Sequence, residues 1–136
     1  MTALQPARRA GTIAGMGDDH ADLHTLYTRY LQRCNEHRFS ELGEFVAEDV
    51  EVNDTPTGLR GYADGLQSVV ATYPDFHWDL RRLLVDDGWI AARLIDTGST
   101  RSGRSVRLQE FAMYRIEDGR IAAVWGDLDR PDRLDR

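Results

Sequence analysis

The sequence predicts an α+β fold in which a curved antiparallel sheet packs against three N-terminal helices. Helical periodicity is confined to the first half of the chain, and alternating apolar and polar residues fill the second half. Two Asp-Gly turns divide the second half into hairpins, which join neighbouring antiparallel strands. Helices followed by a strand meander indicate an α+β domain. A sheet that curves around its helices leaves a cone-shaped space, so the pattern also predicts a pocket.

Three helices are predicted before the meander. The first spans about Asp19–Cys34, where apolar residues recur at three- and four-residue spacing. A second, short helix covers about Phe39–Ala47. The third spans about Tyr62–Tyr73 and stops before Pro74, because the residue before a proline avoids helical geometry. A short strand, Val50–Asn53, is expected between the second and third helices.

Four longer strands follow. Two tight turns, Asp86-Asp87-Gly88 and Glu117-Asp118-Gly119, contain Asp-Gly pairs that accept the backbone angles of a hairpin. The Gly- and Ser-rich stretch between Ser99 and Ser105 predicts a longer exposed connection. The predicted strands are Phe76–Val85, Trp89–Thr97, Val106–Ile116 and Ile121–Leu128.

The length of 136 residues predicts one domain with a sizeable core. We expect residues 1–17 to be a flexible N-terminal segment, residues 18–129 the single domain, and residues 130–136 a charged C-terminal tail. The lone cysteine, Cys34, lies in the apolar stripe of the first helix, where a buried inert thiol is expected. One unpaired cysteine fits a reducing compartment, so we expect the protein to be cytoplasmic.

Charge and composition exclude several classes of partner. The chain has 17 basic and 23 acidic residues and a net charge of −6, which argues against nucleic acid and anionic membrane surfaces. No apolar run reaches the roughly 20 residues that a membrane span needs. His20 and His24 lie one helical turn apart without an evident third ligand, so no metal site is expected.

The last predicted strand carries the strongest functional signal. Alternation along this strand predicts one face for Ile121, Ala123, Trp125, Asp127 and Asp129. A large indole gains free energy by burial, whereas carboxylates at a strand end remain available for chemistry. The pattern therefore predicts the wall of a small-molecule pocket.

The order of several short motifs resembles the SnoaL-like polyketide cyclase family, which has a cystatin-like, nuclear-transport-factor-2-like or ketosteroid-isomerase-like fold. The resemblance covers about Asp19–Asp129. It implies a small hydrophobic or polycyclic substrate, intramolecular aldol-type cyclisation without a cofactor, and a homodimer formed through the open sheet face. The motifs are FVAEDVEVN (45–53), Gly61 at the start of a helix that ends in YPDF (73–76), WIAAR (89–93), Thr97-Gly98, YRIEDGRI (114–121) and VWGDLD (124–129).

The resemblance also implies roles for individual residues. Asp129, four residues after Trp125, matches the aspartate that acts as general acid and base in the family's cyclases. Asn53 falls where the family places a polar residue that orients the substrate. Asp127 shares the predicted face and competes with Asp129 for the catalytic role. The alternative for Asp129 is an ordinary tail carboxylate paired with Arg130 or Arg133.

Other candidate residues come from the strand and helix patterns. Glu110 lies in an apolar row of its strand, so it is either buried in an ion pair, with Arg93 as the expected partner, or part of the pocket. Asp96 poses the same question and ranks lower. Aromatic residues at such spacing are usually core, but they can also line a cavity for a flat substrate. The aromatic candidates for substrate binding are Trp125, Tyr27, Tyr30 and Trp78.

Two alternatives to cyclisation remain open. An isomerase, dehydratase or hydroxylase would use the same pocket on a similar ring system. A ligand-binding or interaction module without catalysis would use the acids only for structure. The fold hosts all of these functions, so the pattern of residues alone does not choose among them.

Overall fold

The computed structural model describes residues 16–126. Helix α1 (Met16–Asn35) is followed by a 3-10 helix (Phe39–Glu44) and strand β1 (Val46–Val52). A two-residue strand β2 (Thr55–Pro56) precedes helix α2 (Gly58–Thr72). The remaining strands are β3 (His77–Asp86), β4 (Trp89–Ser99), β5 (Ser105–Glu117) and β6 (Arg120–Gly126). None of the helices in this part of the chain is long and apolar enough to cross a bilayer.

The helices pack their apolar stripes on the concave face of the sheet. In α1, burial recurs with helical spacing at Leu23, Tyr27, Tyr30, Leu31 and Cys34, as the sequence predicts. In α2, the buried side chains are Tyr62, Leu66 and Val70. The two helices and the sheet enclose one hydrophobic core. The α+β prediction is thus confirmed.

The second predicted helix is shorter than expected. It is a 3-10 helix that ends at Glu44, and Val46, assigned to the helix by the sequence pattern, is instead the first residue of β1. The backbone N–H of Phe45 donates to the carbonyl of Leu42, which closes the last turn. Val46, Val50 and Val52 are then all buried in the strand, and β-branched residues favour that conformation.

The sheet is mixed and not fully antiparallel. Its strand order is β2-β1-β6-β5-β4-β3, and β1 runs parallel to β6. The expectation of an antiparallel sheet was therefore wrong at this pairing. Strands joined by a hairpin must be antiparallel, but β1 and β6 are separated by α2 and the whole meander. No local turn sets their relative direction, so the sequence pattern had no signal for it.

The two predicted hairpin turns are confirmed. Asp87 and Gly88 join β3 to β4 with φ angles of 49° and 83°, and Asp118 and Gly119 join β5 to β6 with 51° and 74°. Positive φ at both central positions gives the turn a twist that matches the twist of the strands. These turns place β3, β4, β5 and β6 side by side in chain order, so the inner faces of β3, β4 and β5 meet α1.

Candidate active site

A small chamber lies between α1, α2 and the concave face of the sheet. Its volume is about 10 Å³, which is room for about one water molecule. Four of its lining residues are aromatic. The lining residues are Tyr27, Tyr30, Leu31, Cys34, Leu66, Trp78, Leu94, Glu110 and Tyr114.

Four tyrosines from three elements supply hydroxyl groups around this chamber. The hydroxyl oxygens of Tyr27 and Tyr114 are 3.1 Å apart in a buried hydrogen bond, and those of Tyr30 and Tyr62 form a second, shorter one. Burial raises the pKa of all four phenols far above the usual range. They therefore remain protonated, uncharged donors at any physiological pH. Tyr62 and Tyr114 were missed by the sequence analysis.

Two carboxyl groups are buried beside the tyrosines. The β4–β5 register places Asp96 opposite Leu108 and Leu94 opposite Glu110, so Asp96 and Glu110 are diagonal neighbours on the inner face. Asp96 is 3% exposed and Glu110 is 5% exposed. Their side chains are hydrogen-bonded to each other. A hydrogen bond between two carboxyl groups requires a proton on one of them.

The pKa of Asp96 is raised to about 10. Burial is the largest cause, followed by the hydrogen bond with Glu110 and the negative charge of Glu110. Two carboxylates in contact and away from water cannot both ionise at modest cost. The Oδ1 atom of Asp96 is buried and has no hydrogen-bond partner among the described residues. Asp96 is therefore protonated at neutral pH, and its Oδ1 atom is unsatisfied among the described residues.

The expected ion pair between Arg93 and Glu110 is wrong. Arg93 lies opposite Phe111 on the outer face of the sheet, whereas Glu110 lies on the inner face. The Arg93 guanidinium instead donates to Gln109 at 2.7 Å. Strand parity is the reason, because residues at odd and even positions of one strand point to opposite faces. Asp96 has the same parity as Leu94, which lies opposite Glu110, so Asp96 is on the inner face beside Glu110.

The expected pocket position of Trp125 is also wrong. A register shift places Ile121 opposite Ile116 but Ala123 opposite Arg115, so β6 contains a bulge at Ala122. The bulge reverses strand parity, and Trp125 points to the outer face. There its ring stacks on Trp89 with centroids 5.6 Å apart, and its Nε1 donates to Asp54 Oδ1 at 3.0 Å.

Asn53 ties the end of β1 to the end of β6. Its side-chain amide donates to the carbonyl of Gly126 and accepts from the N–H of Gly126, both at 3.0 Å. Its own N–H donates to Val124 at 2.8 Å. A φ of 50° turns the chain at this point, a conformation that asparagine tolerates better than most residues. Asp127 and Asp129 lie outside the described residues.

Three of the four predicted aromatic residues line the chamber. Tyr27 and Tyr30 reach it from α1, and Trp78 reaches it from β3, opposite Asp96. Asn35 holds the backbone of Trp78 through two hydrogen bonds. The backbone N–H of Trp78 donates to Asn35 Oδ1, and its backbone carbonyl accepts from Asn35 Nδ2. Their role in substrate binding stays a prediction.

A surface groove of about 210 Å³ lies between the β1–β2 turn and α2. Leu66 lines both this groove and the chamber. Tyr62 also lines the groove, and its hydroxyl is bonded to Tyr30 inside. The side chains of Tyr62 and Leu66 therefore separate the groove from the chamber. Gly61 and Gly65 keep the helix side of the groove free of side chains.

The SnoaL-like polyketide cyclase model matches residues 24–134, most of the chain. The chain belongs to the SnoaL-like polyketide cyclase family. Proteins of this family act on small molecules. The match includes the predicted chamber residues, Asn53 and the acidic end of the chain, and it confirms the resemblance that the motifs predict. No protein of curated function is significantly similar to this SnoaL-like protein.

Solved structures agree with this assignment. A SnoaL-like polyketide cyclase from Agrobacterium tumefaciens is 35% identical, with a TM-score of 0.72 over 76% of this chain and 88% of that one. IdmH from Streptomyces antibioticus, provisionally assigned as a polyketide cyclase, is 20% identical with a TM-score of 0.69 over 76% and 88%. AclR from Streptomyces galilaeus, provisionally assigned as a hydroxylase, is 15% identical with a TM-score of 0.69 over 85% and 98%. The last two show the shared fold.

Proposed function

We propose that this SnoaL-like protein catalyses an aldol-type cyclisation of a small hydrophobic carbonyl compound from polyketide metabolism, by acid/base chemistry without a cofactor. The observation that carries the proposal is the chamber, where tyrosine hydroxyls and one protonated carboxyl lie inside an apolar core. Neutral donors in a dry site stabilise the negative charge that develops on an enolate or alkoxide oxygen. An ordinary core would contain few such groups.

Asp129 is the proposed general base, because the family match extends through its position. It removes an acidic proton from a carbon between two carbonyl groups. The resulting enolate carbon attacks a second carbonyl of the same molecule, a carbon–carbon bond forms, and the new alkoxide takes up a proton. Asp127 is the alternative base. Asn53 is bound on both amide atoms to Gly126, so we propose that it positions the strand end that leads to these acids.

The amino-acid composition favours this route over an imine route. All 17 basic residues of the chain are arginines, so it contains no lysine side chain. Aldol chemistry through a Schiff base needs a lysine amine. With the side chains that this protein has, activation of the carbon nucleophile depends on proton abstraction.

Substrate access is proposed to run through the groove beside α2. The chamber has room for about one water, so a ring-containing ligand must displace part of its wall. Tyr62 and Leu66 are the side chains between the groove and the chamber. Outward movement of these two residues would break the Tyr62–Tyr30 hydrogen bond and release the Tyr30 hydroxyl to the ligand.

The catalytic prediction concerns Asp129→Asn. We expect turnover of a polyketide substrate to fall by roughly 10²- to 10⁴-fold, because the base is lost while the chamber is unchanged. Asp127→Asn is the matched control and should lose less than about threefold if Asp129 is the base. Substrates come from a panel of aromatic polyketides and steroids, screened by thermal stabilisation of the native protein.

The masses of the products test the reaction type. A hydroxylated product has gained oxygen, whereas a cyclised product has the mass of the substrate or has lost water. An isomer also has the mass of the substrate, and carbon NMR separates it from an aldol product, because aldol addition converts one carbonyl carbon to an alcohol carbon. Full turnover by Asp129→Asn would overturn the proposed base. Stabilisation by a ligand without any turnover in the native protein would favour a binding module instead.

We also propose that the protein acts in the cytoplasm, where the buried Cys34 remains a free thiol.

A homodimer formed through the outer face of the sheet is a further proposal. The outer face presents large apolar side chains to solvent: Leu84 is 60% exposed, Phe111 59% and Met113 47%. Leu84, Ala91, Met113 and Trp125 are paired in one row across four strands. A contiguous apolar patch of this kind is typical of an interface between proteins.

The dimer prediction concerns Phe111→Glu. A charge at the centre of an apolar interface costs several kcal/mol, so we expect the variant to be monomeric. Light scattering after size exclusion should give twice the 15.5 kDa monomer mass for the native protein and 15.5 kDa for the variant. Gln67→Glu adds the same charge on the exposed side of α2 and should remain a dimer. A native protein of monomer mass at micromolar concentration would contradict the proposal.

A further inference from the structure

Gly65 lies at the centre of α2, where a glycine weakens the helix. The helix spans Gly58–Thr72, and the position of Gly65 is exposed. A glycine inside a helix destabilises it relative to alanine, because glycine loses more backbone freedom on folding. A glycine at such a position therefore calls for an explanation, either in the packing of the protein or in the space that the missing side chain leaves free.

Packing within the protein does not explain Gly65. Its backbone is helical, and it is not one of the glycines with a positive φ. A Cβ atom added there would meet no neighbouring atom of the described residues within 4 Å. At Gly98, by contrast, an added Cβ would lie 2.8 Å from the ring of Phe76, and at Gly61 it would lie 3.0 Å from Thr57 Cγ2. An alanine therefore fits at position 65 without strain or collision.

The space beside Gly65 belongs to the groove between α2 and the β1–β2 turn. This groove has a volume of about 210 Å³, and Thr55 and Thr57 also line it. Pockets that enclose a drug-sized ligand usually have volumes of about 300–1,000 Å³. The groove is smaller, so it holds one part of such a ligand, and the remainder must lie elsewhere.

The chamber is the neighbouring space that can take the remainder. Leu66 lines both the groove and the chamber, and Tyr62 of the groove is hydrogen-bonded through its hydroxyl to Tyr30 of the chamber. A ligand that displaces Tyr62 and Leu66 would have its inner end beside Tyr30 and its outer end in the groove. Because Gly65 has no side chain, a flat ring can approach the backbone of α2 closely there.

We propose that Gly65 is a specificity-determining residue, whose missing side chain leaves room for the outer ring of a flat, fused-ring carbonyl compound. The carbonyl end of this ligand lies in the opened chamber, and its outer ring lies against the backbone of Gly65. The inference rests on the proposed function for the route through the groove and for the carbonyl chemistry of the ligand. It narrows the ligand class to planar ketones with more than one fused ring.

The test compares two ketones, acetophenone, which has one ring, and 2-acetylanthracene, which has three. Gly65→Leu fills the groove, so the affinity for 2-acetylanthracene should fall by about tenfold. Acetophenone fits inside the opened chamber, and its affinity should stay within about threefold of the native value. Gly65→Ala adds a single methyl group and should give a smaller loss for 2-acetylanthracene. Quenching of tryptophan fluorescence measures the dissociation constants, since Trp78 lines the chamber.

Ser68→Leu is the matched control, because Ser68 is exposed on α2 and lies outside the residues that line the groove. It should leave both affinities within about twofold of the native values. Thermal unfolding separates binding from folding: Gly65→Ala should raise the Tm of the free protein by a few degrees, since alanine favours the helix. A lower Tm for Gly65→Ala would assign the glycine a structural role and overturn the proposal.

Equal losses for the two ketones in Gly65→Leu, or failure of the native protein to bind 2-acetylanthracene, would also overturn it. Neither ketone has a second carbonyl group, so binding is measured without cyclisation. If affinity depends on ring number as expected but the native protein converts no polyketide, the proposed function fails and the role of Gly65 stands. If polyketides are converted but Gly65→Leu binds both ketones as the native protein does, the role of Gly65 fails and the proposed function stands.

Discussion

Replacing Asp96 with asparagine is expected to stabilise the protein, by an amount that grows as the pH rises. In the folded state burial and Glu110 raise the pKa of Asp96 to about 10, whereas an unfolded aspartate has a pKa of about 3.9. The folded state therefore binds one more proton than the unfolded state between these values. The stability that this proton contributes is complete below the unfolded pKa and is lost as the pH rises through the folded pKa.

Asparagine cannot ionise, and its amide can still donate a hydrogen bond to Glu110. The difference in the free energy of unfolding between Asp96→Asn and the native protein should therefore increase by about 1.4 kcal/mol per pH unit across the neutral range. Urea denaturation at about pH 6, 7 and 8 would measure this slope. Titrating groups away from the pair are common to both proteins and cancel in the comparison, so the slope reports the Asp96–Glu110 pair.

Asp64→Asn gives the control slope, because Asp64 is exposed on α2. The difference in the free energy of unfolding between Asp64→Asn and the native protein should not change between about pH 6 and pH 8. Parallel stability curves for native protein and Asp96→Asn would mean that Asp96 ionises normally in the folded state. That result would also remove the protonated donor on which the proposed function depends.

Asn53→Ala is expected to cost about 2–4 kcal/mol of stability. The substitution removes two side-chain hydrogen bonds to Gly126, each worth about 1 kcal/mol. It also places an alanine at a φ of 50°, a left-handed conformation that costs roughly 1–2 kcal/mol for residues other than glycine, asparagine and aspartate. The midpoint of urea denaturation should shift accordingly with an unchanged m-value.

Asn53→Gly separates the two causes, because glycine adopts the same φ without strain but makes neither hydrogen bond. We expect it to lose less stability than Asn53→Ala, by about the cost of the strain. Equal stability of the native protein and both variants would show that this clamp contributes nothing. Loss of turnover in Asn53→Gly at a temperature where it is fully folded would show that the clamp also serves catalysis.

Local patterns predicted most of the secondary structure. The spacing of Leu23, Tyr27 and Tyr30 gave the first helix, and the Asp-Gly turns gave the hairpins, because both depend on residues within a few positions of one another. The limit of this reasoning appears at Val46. A segment this short can be read as helix or as strand from its sequence. Val46 is in a strand because it pairs with Ile121, which is far away in the chain.

The site was predicted less completely, because its groups come from distant parts of the chain. Tyr27, Tyr30, Trp78 and Glu110 were recognised from their own elements. Asp96 was ranked below Glu110, although both are buried on the inner face and its parity with Leu94 was visible in the sequence. Tyr62 and Tyr114 had no distinguishing signal, since a buried tyrosine and a site tyrosine follow the same spacing.

The sequence by itself determined the fold class, the family and the order of the elements, since these follow from local periodicity, turn chemistry and the succession of motifs. The tertiary structure decided three further points: the parallel pairing of β1 with β6, the outward direction of Trp125, and the partnership of Asp96 with Glu110. The first depends on pairing between strands far apart in the chain, and the other two depend on strand register. A shift of one residue moves every following side chain to the other face, and register is fixed by packing across the whole core.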